Sequence, residues 1–204
     1  MLSEMEKSFI ERHTKEVYEK LKSARVAIAG LGGLGSNIAV SLTRAGVGNL
    51  LLIDFDKVDI SNLNRQQYFQ RNVGQYKTEA LAEILKEINP HINIEYKPVE
   101  ITENNVHEIF GEYEIVCEAF DKAENKAMLI NSLADKIIIS GSGMAGCKSA
   151  NKIKTRRAMK NLYICGDEVS DVSVDGSLFA PRVAVCANHQ ALMAIRIILG
   201  KEDV

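Results

Sequence analysis

The sequence predicts an α/β chain built on a doubly wound, mostly parallel sheet, and three observations carry that prediction. A short apolar run, Arg25 to Ala29, leads into Gly30-Leu-Gly32-Gly33-Leu-Gly35 and then a helix-like segment from Ser36 to Ala45. A second apolar run, Leu50 to Ile53, ends in Asp54, about 20 residues beyond the last of those glycines, where a nucleotide-binding unit carries its acid. Apolar runs and helix-period segments then continue to alternate, the pattern that buries a parallel sheet between helical layers.

Taken in order, residues Ser3 to Lys22 predict one amphipathic helix, with Phe9, Val17 and Leu21 on its apolar side. Val26–Ala29 is the first strand. In the turn that follows, Gly30 permits a tight bend and Gly32, with Gly33 beside it, lets backbone approach a phosphate or sugar. Gly35 lets the helix lie close to the strand. The free N–H groups and dipole at the helix start suit an anion. Leu50–Ile53 is the second strand, and Asp54 at its end can accept hydrogen bonds from ribose hydroxyls. Further strands are expected at Ile92–Lys97, Ile115–Glu118, Lys136–Ser140 and Leu162–Cys165. Helices are expected at Gln75–Ile88, Thr102–Phe110, Lys122–Ala134 and Pro181–Leu199. Pro90 ends the first of these, since the residue before a proline is disfavoured in the helical region. Pro181 suits a first turn and Gly200 a stop. No linker, repeat or low-complexity segment interrupts the chain, so one Rossmann-like domain over residues 1–204 is expected, with extra strands and a C-terminal helix after the nucleotide-binding half.

Composition narrows the class. The chain has 204 residues, 46% of them hydrophobic, enough for a substantial core. Its net charge of −2 supplies no global attraction to nucleic acid or membrane. No apolar run reaches the roughly 18 residues of a membrane span, and the charged start is unlike a signal peptide. A soluble cytoplasmic protein is expected. The four cysteines, Cys117, Cys147, Cys165 and Cys186, include no C-x-x-C pair. Cys117 and Cys186 fall in apolar segments as inert core residues, whereas Cys147 and Cys165 lie closer to loops, as candidate reactive thiols.

The polar block after Asp54 separates two nucleotide chemistries. A dinucleotide-dependent oxidoreductase is served by the glycine turn and the acid alone, and would leave Asn62, Arg65, Gln66 and Lys77 without a joint role. Two cations near a nucleotide point instead to a triphosphate with a reactive end. Asp121, just past the strand Ile115–Glu118, faces the crevice in which α/β folds bind ligands, and can equally cap the helix that follows.

Together, G-x-G-G-L-G-S, L-I-D-F-D, S-N-L-N-R-Q and V-G-Q-x-K, in this order, resemble the ThiF/MoeB/HesA family of ubiquitin-activating-enzyme-like adenylyltransferases. Gly46-Val-Gly48, Ile88-Asn-Pro90-His91 and the ending from Ala180 to Gly200 match it too. The resemblance covers nearly the whole chain. It implies that a small ubiquitin-like carrier ending in Gly-Gly is activated by ATP, its carboxylate attacking the α-phosphorus with loss of pyrophosphate. It implies Asp54 on the ribose, Asn62, Arg65, Gln66 and Lys77 on the phosphates, and Asp121 on magnesium. It also implies a homodimer, with residues 1–24 at the interface and Arg12 entering the neighbour's active site; an ordinary solvated arginine is the other reading. The zinc-binding cysteine pairs and the long cysteine-bearing insertion of many members are lacking, so no structural zinc is expected and a thioester or persulfide step is in doubt. Size and cysteine pattern are most similar to a short ThiF, which implies the sulfur carrier of thiamine synthesis. The molybdopterin carrier, a modified transfer-RNA base and a non-catalytic nucleotide-binding subunit remain alternatives. The basic stretch from Cys147 to Lys160 is a solvated loop, a strand edge or a dock for an acidic carrier, and the acidic segment Asp167 to Asp175 is equally open.

Overall fold

A computed structural model describes residues 3–204. Seven strands form one sheet: β1 (Arg25–Ala29), β2 (Asn49–Ile53), β3 (Asn93–Lys97), β4 (Ile115–Glu118), β5 (Ile137–Gly141), β6 (Lys154–Met159) and β7 (Leu162–Gly166). Their order is β3-β2-β1-β4-β5-β7-β6, parallel throughout except that β6 runs antiparallel to β7. The expected doubly wound α/β architecture is therefore present. Strand order reverses at β1, which puts the crevice between the carboxyl ends of β1 and β4 at the switch point.

The period of two along β1 divides the core. Val26 and Ile28 face one layer and Ala27 and Ala29 the other. The first layer holds α3 (Gly33–Ala45), α4 (Lys77–Ile88) and the long α8 (Ala180–Ile198), with α3 and α8 packed together through Ile38, Leu42, Ala187 and Ala191. The second holds α5 (Val106–Phe110) and α6 (Ala123–Ser132), buried through Val106, Phe110 and Leu129. Because both faces are covered, β1, β2 and β4 are apolar almost end to end. Gly46 closes α3 in the left-handed region (φ 93°).

Several boundaries differ from the sequence expectation. The N-terminal helix is two helices, α1 (Glu4–His13) and α2 (Lys15–Ser23), broken at Thr14, whose φ is 86°. The Thr14 hydroxyl accepts from the Val17 amide, and the break turns Phe9 onto the Tyr18 ring and over Gly46. Helix α4 starts at Lys77, because Tyr76 forms a bridge with Lys57 and Gln75 accepts from the Val58 amide. Helix α5 starts only at Val106; the side chain of Asn105 instead closes a turn onto Thr102 and Glu100.

Of the readings left open for the basic stretch, a strand edge is the one present, as β6. It is an edge strand, exposed along most of its length and carrying Lys154, Arg156 and Arg157, charges of the kind that blunt sheet edges. The acidic segment meets it: Glu168 pairs with Arg156, and Asp175 with Lys148 at 2.7 Å. Four-residue α7 (Val172–Asp175) lies in that acidic segment. Cys165 is not near a loop surface but buried in β7, with its thiol pushed up to about 11 by burial. Burial likewise pushes Cys186 up to about 12 and raises Cys117 as well. Only Cys147 is exposed. On α8, His189 Nδ1 lies 2.9 Å from the Thr155 hydroxyl. Among the described residues no helix is long and apolar enough to cross a membrane.

Candidate active site

A cavity of about 740 Å³ opens over the carboxyl ends of the central strands. The loops after β1, β2, β4 and β5 all reach it, since each parallel strand delivers its next residue to the same edge. Gly30, Gly32, Gly33, Asp54, Asn62, Arg65, Gln66, Lys77 and Asp121 all line it. Gly35 does not: a Cβ there would overlap the Gly30 carbonyl oxygen, so Gly35 is what lets α3 start against β1. Gly30 itself needs its left-handed φ of 88°. Around Gly32, by contrast, the nearest atom to an added methyl would be Gln66 Nε2 at 3.8 Å, so that side of the turn is open to a ligand.

Asp54 is buried and its oxygens accept from the amides of Leu31 (2.7 Å) and Asp56 (2.8 Å). Each carboxylate oxygen keeps a second lone pair. Burial raises its pKa, opposed by Lys77 and by those two amides. Lys77, buried at the first position of α4, lies 2.6 Å from Asp56 and 3.8 Å from Asp54, so its ammonium is fixed by two acids rather than standing alone. Nothing in the sequence singles out Asp56 as an anchor for this lysine. Asn62 caps a short 3-10 turn by accepting from the Asp59 amide. That turn presents Arg65, whose guanidinium contacts only Ser61 O and Asn64 Oδ1 and has no acidic partner among the described residues. Gln66 is buried, and its Oε1 has no hydrogen-bond partner.

Asp121 is exposed in the cavity wall. It does not cap α6, whose preceding residue is Lys122 and whose start has no side-chain cap. Among the described residues no cluster of three or more acidic, histidine or cysteine side chains could hold a metal by itself. A single carboxylate is compatible with magnesium where phosphate is also bound, since magnesium binds through one or two carboxylates and completes its shell with water and phosphate. Arg12, in the last turn of α1, is exposed and lies outside the cavity lining.

Two further groups carry no motif that sequence reasoning finds. Lys126 lines the same cavity, and Glu118, fully buried, holds it. On the far side, the turn Gly141 to Ala145 and the segment Glu168 to Val172 complete the wall. Buried Arg182 braces that segment through Asp167, Ser170 Oγ and the carbonyls of Lys148 and Ser149.

Comparison with known proteins agrees with this architecture. A ThiF family profile matches residues 6–204. The molybdopterin-synthase adenylyltransferase of Escherichia coli K12 is 32% identical over 188 residues, covering 89% of this chain and 76% of that protein. The adenylyltransferase and sulfurtransferase UBA4 of Candida glabrata is also 32% identical, over 190 residues and 89% of this chain; the chain spans only 44% of that relative's length. In structure, the E. coli tRNA N6-threonylcarbamoyladenosine dehydratase TcdA, solved in complex with ATP, superposes with a TM-score of 0.87. The match covers 98% of this chain and 97% of that one at 21% identity, a likeness of fold.

Proposed function

The chain belongs to the ThiF family, and on that premise we propose that it is an ATP-dependent adenylyltransferase activating the C-terminal Gly-Gly carboxylate of a small ubiquitin-like sulfur carrier. The observation that carries this reading is the convergence of the glycine turn, Asp54, Asn62, Arg65, Gln66, Lys77 and Asp121 on one cavity.

The chemistry asks for little covalent help. The substrate carboxylate is ionised at neutral pH and attacks the α-phosphorus; the bond to pyrophosphate breaks and an acyl-adenylate remains. What the chain supplies is positioning and charge neutralisation. Asp54 receives the ribose hydroxyls. Arg65 and Lys77 neutralise the phosphates, with Asn62 and Gln66 completing the contacts. Asp121 would hold magnesium, which when bound offsets charge on the phosphates. Residues 1–24, of which the first two lie outside the described residues, are assigned to the interface of a symmetric homodimer in which Arg12 reaches the neighbour's phosphates. Its exposure and its absence from the lining of its own cavity are compatible with that role.

The carrier of thiamine synthesis is the first assignment, resting on the cysteine pattern. The molybdopterin carrier is the second, favoured by the E. coli relative. Exchange of labelled pyrophosphate into ATP, driven by each carrier in turn, decides between them. In the same assay a folded Asp121→Ala variant should lose exchange by at least about 100-fold, and Arg12→Ala should be similarly poor. Mixing the two after proven subunit exchange should recover activity, since one site then has its own Asp121 and an intact Arg12 from across the interface. Near-normal exchange by Asp121→Ala refutes its role, absence of recovery refutes that of Arg12, and a wild type silent with every Gly-Gly carrier refutes adenylation.

A further inference from the structure

Resting on the adenylation reading above, we infer that Lys126 is the group that receives the incoming substrate carboxylate. Glu118 is the last residue of β4 and completely buried. Such a carboxylate must be paired and hydrogen-bonded. It is: Oε1 accepts from the Phe120 amide at 2.6 Å, Oε2 from Ser140 Oγ at 2.5 Å, and Lys126 Nζ sits 3.0 and 2.9 Å from the two oxygens. The ammonium is thereby fixed above the ends of β4 and β5. An ammonium has three N–H donors, and Glu118 engages two. The side chain is 21% exposed and forms part of the cavity wall, so the third donor has a ligand space to serve.

Its place along the sheet says which ligand. Asp54 and the glycine turn follow β2 and β1, and Arg65 and Lys77 come from the connection after β2. Lys126 lies on the opposite side of the switch point, towards β5 and β7, where the wall is Gly141 to Ala145 and Glu168 to Val172. In an in-line displacement the nucleophile enters on the face away from the leaving group. Asp121 also follows β4 but is an acid, assigned to magnesium; a cation on this side meets the carboxylate, while Arg65 and Lys77 stay with the phosphates. Pairing with Glu118 holds the ammonium in place before substrate arrives, the preorganisation that makes such a contact effective.

The competing reading is that Lys126 only neutralises Glu118. The double variant Lys126→Met with Glu118→Gln separates the two, because it removes the buried charge together with its partner. In pyrophosphate exchange with thiamine-type or molybdopterin-type carriers ending in Gly-Gly, KM for the carrier should rise about 10- to 100-fold, the value of a charge-assisted hydrogen bond. KM for ATP should stay within about twofold. Wild type should also bind the free-carboxylate carrier more tightly than its C-terminal amide, by the same factor, and the double variant should not discriminate. A folded double variant with wild-type carrier KM, or one whose two KM values rise together, overturns the inference. If the double variant does not fold, Lys126→Gln, which keeps a donor for Glu118, must show the same carrier-only shift, and its absence overturns the inference equally. Failure of wild-type exchange with every carrier sinks the adenylation reading itself and is thereby distinct.

Discussion

Two glycines three residues apart should respond in opposite ways to a single methyl group. Gly35 lies inside α3, where alanine is favoured over glycine by about 1 kcal/mol. Yet a Cβ at this position would overlap the Gly30 carbonyl oxygen and sit 2.8 Å from its carbon. Carbon atoms pack at about 3.5–4.0 Å, so α3 must retreat from the glycine turn by most of an ångström. Neither obstructing atom belongs to a side chain that can rotate away. Overpacking of this kind costs about 1–3 kcal/mol and more when backbone must move. Since the retreat reaches the sheet through Ile28 Cγ2 as well, we expect Gly35→Ala to destabilise by about 2 kcal/mol net, or some 4–8 °C in Tm for a domain of this size. Gly32→Ala meets only Gln66 Nε2 at ordinary contact distance and should leave stability within about 0.5 kcal/mol. On the proposed reading, however, its methyl would stand where backbone approaches the phosphates. ATP with magnesium should raise the Tm of wild type by mass action, and in Gly32→Ala that rise should shrink, corresponding to at least about a tenfold weaker affinity. Urea and thermal unfolding with and without nucleotide provide both readings. A Gly35→Ala protein as stable as wild type would refute the close-approach argument, and undiminished ATP stabilisation in Gly32→Ala would refute the open-side one.

Thiol titration of the native protein should find one fast-reacting cysteine, Cys147, and four after denaturation. Two fast thiols, or one that survives Cys147→Ser, would contradict the burial of Cys165, Cys186 and Cys117. Burial pushes the Asp167 carboxyl up, but hydrogen bonds from Ser170 and the Val169 amide, together with Arg182, outweigh it and hold the group below the usual carboxylate range. A folded pKa below the unfolded one gives stability that is complete above about pH 4 and is lost as pH falls through the lowered value. Asp167→Asn leaves the buried Arg182 unpaired and should cost about 3 kcal/mol at pH 7. The gap to wild type, measured by urea unfolding, should narrow below pH 4, and a gap constant from pH 7 to 3 would exclude the ion pair as its cause.

How far the sequence could be read depended on what each segment's environment wrote into it. Strands β1, β2 and β4 are covered on both faces and could be seen as apolar runs. The candidate site residues fell at readable spacings for a related reason: in a parallel sheet every strand delivers its next residue to one edge, so Gly30 and Asp54 announce themselves as the small or polar residue that ends an apolar run, and Asp121 follows three residues after the end of β4. Strand β6 leaves no such trace. Its pairing with β7 is a matter of backbone, and its charged side chains suit a solvated edge as well as a loop. The break at Thr14 is equally silent, since the amphipathic pattern continues across it and only the contact of Phe9 with Tyr18 and Gly46 calls for the turn. Lys126 belongs to a third kind. Nothing in Lys122-Ala-Glu-Asn-Lys126 singles it out, but the residue that holds it does carry a signal. Glu118 closes the run Ile115-Val-Cys, a strand apolar enough to be central, and a carboxylate at the end of a buried strand needs a cation within reach. With α6 returning over the same edge, the candidates are Lys122 just before it and Lys126 within it, and geometry selects Lys126, whose ammonium reaches Glu118 and also meets the cavity. A charged residue that terminates a buried strand is thus a pointer to a second residue elsewhere, and here that second residue stands on the substrate side of the site.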